Sequence, residues 1–67
     1  MKLKELRTEH HMLQRDVAEI IGCTQTIYSR YESGDREPSL TTLVKLADFY
    51  NVSLDYLVGR SDDPTRH

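Results

Sequence analysis

Four side chains in one short stretch of this chain are small or hydrogen-bonding, with a single cation among them: Gln25, Thr26, Ser29 and Arg30. An amide carries a donor and an acceptor side by side, a guanidinium carries a fork of donors, and a threonine methyl offers an apolar tip. Each can hydrogen-bond or pack against a second polar surface. Laid on a helix at about 100° per residue, all four fall on one flank with Ser33, while Tyr28 and Tyr31 share another that must face a core. Small hydrogen-bonding side chains with a single cation suit close approach to a second polar surface better than simple solvation. Glu32 falls toward the core side of this wheel, where an acid needs a cationic partner or carries a desolvation cost. Ile27 sits between the flanks, placed either to seal the core edge or to touch a partner's backbone.

The residues around this stretch fix how it is presented. Thr24 is a good N-cap for a helix from Gln25 to Ser33, and Gly34 is a natural stop. Upstream, Val17, Ala18, Ile20 and Ile21 form the inward face of a preceding short helix, which Gly22 ends in a left-handed conformation. Only Cys23 separates Gly22 from Thr24. Two helices joined by so short a turn cross steeply, which is the helix-turn-helix arrangement. Leu13 stands where the preceding helix would ordinarily have a capping oxygen, so its first-turn N–H groups lack a side-chain cap. With Gln14 beside it, that helix end can hold a phosphate; water fills the same role equally well.

Leu3, Leu6 and His10 mark a first helix of about three turns. The adjacent His10 and His11 read as solvated helix-end residues, since no ligand stands at the i+4 spacing of a metal site. After Gly34, Asp35 to Pro38 form a loop. Ser39 then caps a fourth helix with Leu40, Leu43, Leu46, Ala47 and Tyr50 on one face, and Asn51 ends it. Ser53 caps a last short helix with Leu54, Leu57 and Val58 inward, and Gly59 closes it. Residues 1–59 thus form one domain, and residues 60–67 read as a frayed tail. There is no period-2 strand pattern and no repeat.

Bulk properties bound the remaining readings. A chain of 67 residues is one domain that buries only about 60% of its unfolded surface, so association with a second copy would help it. A single cysteine, with no leader-like or spanning segment, points to a reducing cytoplasm, with Cys23 packed as a small hydrophobe. The net charge is −2. Residues 1–36 are neutral, with six cations against six acids, and residues 37–67 carry the whole deficit. Any positive surface therefore lies in the first half, and the expected non-specific affinity for nucleic acid is weak with a shallow salt dependence. No nucleophile with a positioned base, no carboxylate pair and no phosphate-cradling glycine loop occurs, so an enzyme is not expected, and neither is a cofactor or a metal.

These residues resemble the phage-repressor type of helix-turn-helix domain, the Xre family of bacterial and phage transcription regulators. The resemblance runs from about Leu3 to Gly59. It is carried by Leu3 to Arg7, by Gln14 to Gly22, by Thr24-Gln25, by Ser29 to Gly34, by Arg36 with Pro38-Ser39, and by Asn51 to Leu57. Six pieces in the right order and spacing make the match specific. It implies an all-α fold, a compact five-helix lambda-repressor-like DNA-binding domain with the helix-turn-helix at helices 2 and 3. It implies that Gln14 contacts a phosphate and braces Gln25, that Gln25, Thr26, Ser29 and Arg30 face bases, and that Arg36 with nearby backbone amides holds phosphates. The implied DNA-binding set is Gln14, Thr24, Gln25, Thr26, Ser29, Arg30 and Arg36. The family pairs an arginine of helix 1 with the glutamate ending helix 3, here Arg7 with Glu32.

Two departures from the family pattern, His11 in place of Gly and Leu13 in place of Thr or Ser, imply a reshaped turn between helices 1 and 2. The implied function is a sequence-specific regulator of transcription, a repressor that binds a near-palindromic operator in double-stranded DNA as a homodimer. Tyr50, Leu54, Tyr56, Leu57 and Val58 are the candidates for the dimer contact, with completion of the monomer core as their competing role. The alternative is a protein-interaction module such as an antitoxin or adaptor, which would use the acidic second half as its surface.

Overall fold

Left-handed closures and serine or threonine caps divide this chain into five helices and set the angles between them. In a computed structural model describing residues 1–66, these are α1 (Leu3–Glu9), α2 (Gln14–Ile21), α3 (Gln25–Ser33), α4 (Leu40–Tyr50) and α5 (Leu54–Val58). No strand occurs among the described residues. No helix is long and apolar enough to cross a membrane.

Thr24, Ser39 and Ser53 each accept a hydrogen bond from the backbone N–H three residues on, at 3.2, 3.2 and 3.0 Å. This satisfies one of the free donors at each helix start. The end of α2 shows how the turn is made. Gly22 has φ +81°, its N–H donates to Glu19 O, and the N–H of Cys23 donates back to Ala18 O at 2.9 Å. Those paired bonds reverse the chain within one residue and release Thr24 to start α3.

The turn between α1 and α2 uses the same device without glycine. His11 has φ +56°, its N–H donates to Thr8 O, and the N–H of Met12 donates to Arg7 O. His11, which with Leu13 departs from the family pattern here, takes the left-handed conformation that glycine favours, at a cost of about 1–2 kcal/mol. Leu13 has no oxygen to offer α2, yet the other half of a cap is present. The carboxylate of Asp16 accepts from the Leu13 N–H at 2.9 Å, three residues back from the first turn.

The core comprises Leu3 and Leu6 of α1, Val17, Ala18 and Ile21 of α2, Tyr28 of α3, Leu46, Ala47 and Tyr50 of α4, Val52, and Leu57 of α5. Two residues read as inward prove exposed. Ile20 is 47% and Leu40 is 67% accessible. On the short α2, packed against α3 and α4, the arc holding Val17, Ala18 and Ile21 is enough to fill the contact, and Ile20 overhangs it. Leu40 begins α4 nearly two turns before its first buried residue, Leu46.

His10 is not merely solvated. Its ring centroid lies 5.0 Å from that of Tyr50 and 6.4 Å from that of Phe49. Its Nδ1 lies 2.8 Å from Leu6 O, and because a carbonyl only accepts, Nδ1 carries the proton. Residues 60–66, expected as a frayed tail, fold back on α4 and α5. Pro64 O accepts from the Ser53 N–H at 3.0 Å, and Arg66 bonds Ala47 O and the Asp48 carboxylate. His67, the last residue of that expected tail, lies outside the described residues.

Candidate nucleic-acid interface

The turn at Gly22 and Cys23 aims the polar flank of α3 away from the core. Tyr28 is fully buried and Tyr31 half-buried, their rings meeting edge to face at 6.4 Å. That anchors one side of the helix and forces the other outward. Gln25, Thr26 and Arg30 are exposed and Ser29 is half-buried. Together with Gln14 from the start of α2, these four line one open cleft. Ile27, undecided from its place on the wheel, is half-buried.

Nine helical residues span roughly 14 Å, comparable to the ~12 Å width of the major groove of DNA. Arg30 has no ion pair among the described residues, so its guanidinium is free for another acceptor. Thr24 is exposed at the head of the same helix, with its hydroxyl oxygen engaged by the Ile27 N–H.

Arg36 is not part of this cleft. It lines a separate groove beyond the end of α3, with Tyr31, Ser33, Gly34 and Pro38. Its backbone N–H donates to Arg30 O at 3.3 Å, closing the helix, so that amide is not available to an anion. Its guanidinium is exposed and unpaired among the described residues.

Behind the cleft lies a polar network that ties three elements together. Arg7 Nε donates to Glu32 Oε2 at 2.7 Å, Nη2 to Glu32 Oε1 at 3.2 Å, and Nη1 to Met12 O at 2.9 Å. The fork of one guanidinium thus joins α1, the α1–α2 turn and the end of α3. The Gln14 amide nitrogen donates to Glu32 Oε1 at 3.1 Å, which brings α2 into the same network.

The two charged side chains are 15% and 6% accessible. Burial opposes ionisation of Glu32, but Arg7, Tyr28 and Gln14 together outweigh it and hold the carboxyl below its ordinary value. Tyr28 lies close enough to feel that charge. Burial, then Glu32, push its hydroxyl far above its ordinary range. No hydrogen bond of good geometry satisfies the hydroxyl of Tyr28 or of Tyr50.

The dimer candidates divide. Tyr50 and Leu57 are buried in the monomer core, so neither presents a surface to a second copy. Leu54, Tyr56 and Val58 are half-buried. One face of the Tyr56 ring is covered by the Lys2 ammonium, 5.2 Å from its centroid, a contact worth about 0.5–1 kcal/mol at an exposed site.

No cluster of three or more metal-ligating side chains occurs among the described residues. Cys23 is half-buried, and burial pushes its thiol up, which disfavours the reactive thiolate. Sequence reasoning missed two contacts in this region. One is the donation of Gln14 to Glu32, which sequence spacing does not show because it joins residues from separate helices. The other is the Asp16 carboxylate closing the start of α2, for which an acid three residues after Leu13 was the available signal.

Comparison with known proteins agrees with this geometry. The family profile described as "Helix-turn-helix" matches residues 3–57. An uncharacterized HTH-type transcriptional regulator, YobD of Bacillus subtilis, is 41% identical over 63 residues, covering 94% of this chain and 56% of its own length. The cryptic phage CTXphi transcriptional repressor RstR of Vibrio cholerae is 41% identical over 61 residues, covering 91% and 55%. The HTH-type transcriptional regulator ImmR of Bacillus subtilis is 39% identical over 61 residues, covering 91% and 48%. The chain spans about half the length of these curated relatives. No solved structure matches. With the profile covering most of its length and five helices arranged around a glycine-closed turn, the chain belongs to the helix-turn-helix family of transcription regulators.

Proposed function

We propose that this chain is a sequence-specific double-stranded DNA-binding regulator of transcription, a cytoplasmic repressor that acts as a homodimer on a near-palindromic operator. The observation that carries the proposal is the cleft in which Gln14, Gln25, Thr26, Ser29 and Arg30 meet on the exposed flank of α3. In this reading α3 lies in the major groove. Gln25, Thr26, Ser29 and Arg30 face bases, while Gln14, Thr24 and Arg36 contact or approach the backbone and set register. Two copies place their recognition helices about 34 Å apart, one turn of the duplex. With Tyr50 and Leu57 committed to the core, Leu54, Tyr56 and Val58 are the remaining dimer candidates.

Electrostatics makes the proposal quantitative. If Arg36 is the phosphate-contacting cation that each of two copies brings to DNA, about two phosphates are neutralised, and log K should fall with log salt at a shallow slope of about −2. Titrating binding to mixed-sequence DNA at several salt concentrations tests this. Absence of any DNA affinity at low salt would overturn the proposal.

A second reading, a protein-interaction module such as an antitoxin or adaptor, is favoured by one observation. Leu40 and Val44 stand one turn apart and exposed on α4, within the acidic half of the chain. A pull-down from lysate run beside the salt titration separates the readings, since the module should capture a protein and ignore DNA.

A further inference from the structure

The start of α2, where the family pattern places a phosphate, is poorly suited to one in this chain. Leu13 offers no hydroxyl there, and the Asp16 carboxylate accepts from the Leu13 N–H at 2.9 Å. That carboxylate sets a negative charge at a helix end whose dipole would otherwise attract an anion. Gln14 is half committed as well, since its amide nitrogen donates to Glu32.

Beside it lies a recess better suited to the task. It is lined by Lys4 and Arg7 of α1, Gln14 of α2, and Ser29, Glu32 and Ser33 of α3. Gln14 and Ser29 also line the cleft of base-facing side chains, so the two hollows adjoin. Ser33 stands about one turn, roughly 6 Å, beyond Ser29 on the same polar flank. When that flank seats in a groove about 12 Å wide, the wall of the groove, where the phosphates run, passes over this recess. Ser33 lines the groove of Arg36 too, so Lys4 and Arg36 flank the end of α3.

One residue sets the charge of the recess. Arg7 and Glu32 neutralise each other through two hydrogen bonds. Lys4 is exposed and has no ion pair among the described residues. Glu5 and Glu9 share a separate groove with it, yet neither pairs with it. The Ser33 hydroxyl donates to Arg30 O at 3.1 Å, which leaves the ammonium to hold an anion. Resting on the DNA-binding reading above, we infer that Lys4 is a second phosphate-contacting cation, and that α1 rather than the start of α2 holds this part of the DNA backbone. An ammonium is a point charge that carries no base information here, so its contribution is uniform across sequences. With Arg36 alone, a dimer has a slope of log K against log salt of about −2; Lys4 brings it to about −4.

The test is a salt titration of the full chain on mixed-sequence DNA and on its selected site, with Lys4→Ala, Lys4→Arg and Lys45→Ala beside the wild type. Lys45 is an exposed cation of α4 without an ion pair among the described residues, and it lines neither hollow. Lys4→Ala should move the slope from about −4 to about −2, so that raising salt from about 50 to about 200 mM costs it about tenfold less affinity than it costs the wild type. Its base preferences and melting temperature should match the wild type. Lys4→Arg and Lys45→Ala should both keep the wild-type slope. The inference is overturned if the wild-type slope is already about −2, if Lys4→Ala leaves the slope unchanged or relaxes preference at one base pair, if Lys4→Arg fails to keep it, or if Lys45→Ala shifts it as much. Each of those outcomes leaves the DNA-binding reading standing. Failure of the wild type to bind DNA at low salt overturns both.

Discussion

Replacing Arg7 by alanine should unfold this domain more readily than any change on the exposed flank of α3, and the reason lies in what is stranded. The substitution removes two hydrogen bonds to Glu32 and one to Met12 O, leaving a carboxylate of 6% side-chain accessibility with the Gln14 amide as its remaining donor. Removing one partner of a buried ion pair costs about 3–5 kcal/mol, and the partial exposure of Arg7 places this case near 3. A chain of this size holds only about 3–10 kcal/mol of stability in all. At about 4–8 °C per kcal/mol for a domain this small, the melting temperature should fall by at least 12 °C.

The pH dependence gives the effect a second signature. In the wild type the folded Glu32 carboxyl lies below its ordinary 4.5. The ion pair's contribution is therefore complete above that value and is lost as the pH falls through the folded one. In Arg7→Ala, burial without the cation raises the same group, so protonation relieves the variant. The gap between the two proteins should narrow as pH drops from 7 toward 3.5. Thermal unfolding followed by circular dichroism across that range reads both effects. A melting temperature within about 3 °C of wild type, or a gap independent of pH, would refute the reasoning.

Other changes should act on single parts of the account. Arg30→Ala should leave the melting temperature unchanged, because this exposed side chain has no ion pair among the described residues. It should cost about 1–3 kcal/mol at the selected DNA site and relax preference at one base pair, measured by equilibrium titration against single-base variants; equal weakening on all sequences would make it a phosphate contact instead. His11→Gly should raise stability by up to about 1 kcal/mol in chemical denaturation, since glycine takes φ +56° without the steric cost a side chain carries.

Much of this architecture was legible because its punctuation is local. Thr24, Ser39 and Ser53 cap and Gly22, Asn51 and Gly59 stop their helices through bonds to residues three or four positions away, so spacing alone reveals them. The flank of α3 was legible for the same reason. Burial at element edges was not, because it depends on how far a neighbouring helix extends. Ile20 and Leu40 look like core residues on a wheel and prove exposed, whereas Val52, between two helices, proves buried. Contacts across the fold lay furthest from reach. Arg66 on Asp48, Gln14 on Glu32 and His10 against Tyr50 join residues that no periodicity links. The partner of Glu32 was accessible only through resemblance, since the helical wheel demanded a cation without naming it.

The central claim is that α3 reads a site in double-stranded DNA as one of a symmetric pair. Selecting bound duplexes from a random library with the full chain tests it most directly. The account predicts an enriched inverted repeat whose half-sites are centred about 10–10.5 base pairs apart, or a multiple of that spacing. Recovery of no enriched sequence, or of a single half-site without its inverted partner, would contradict it.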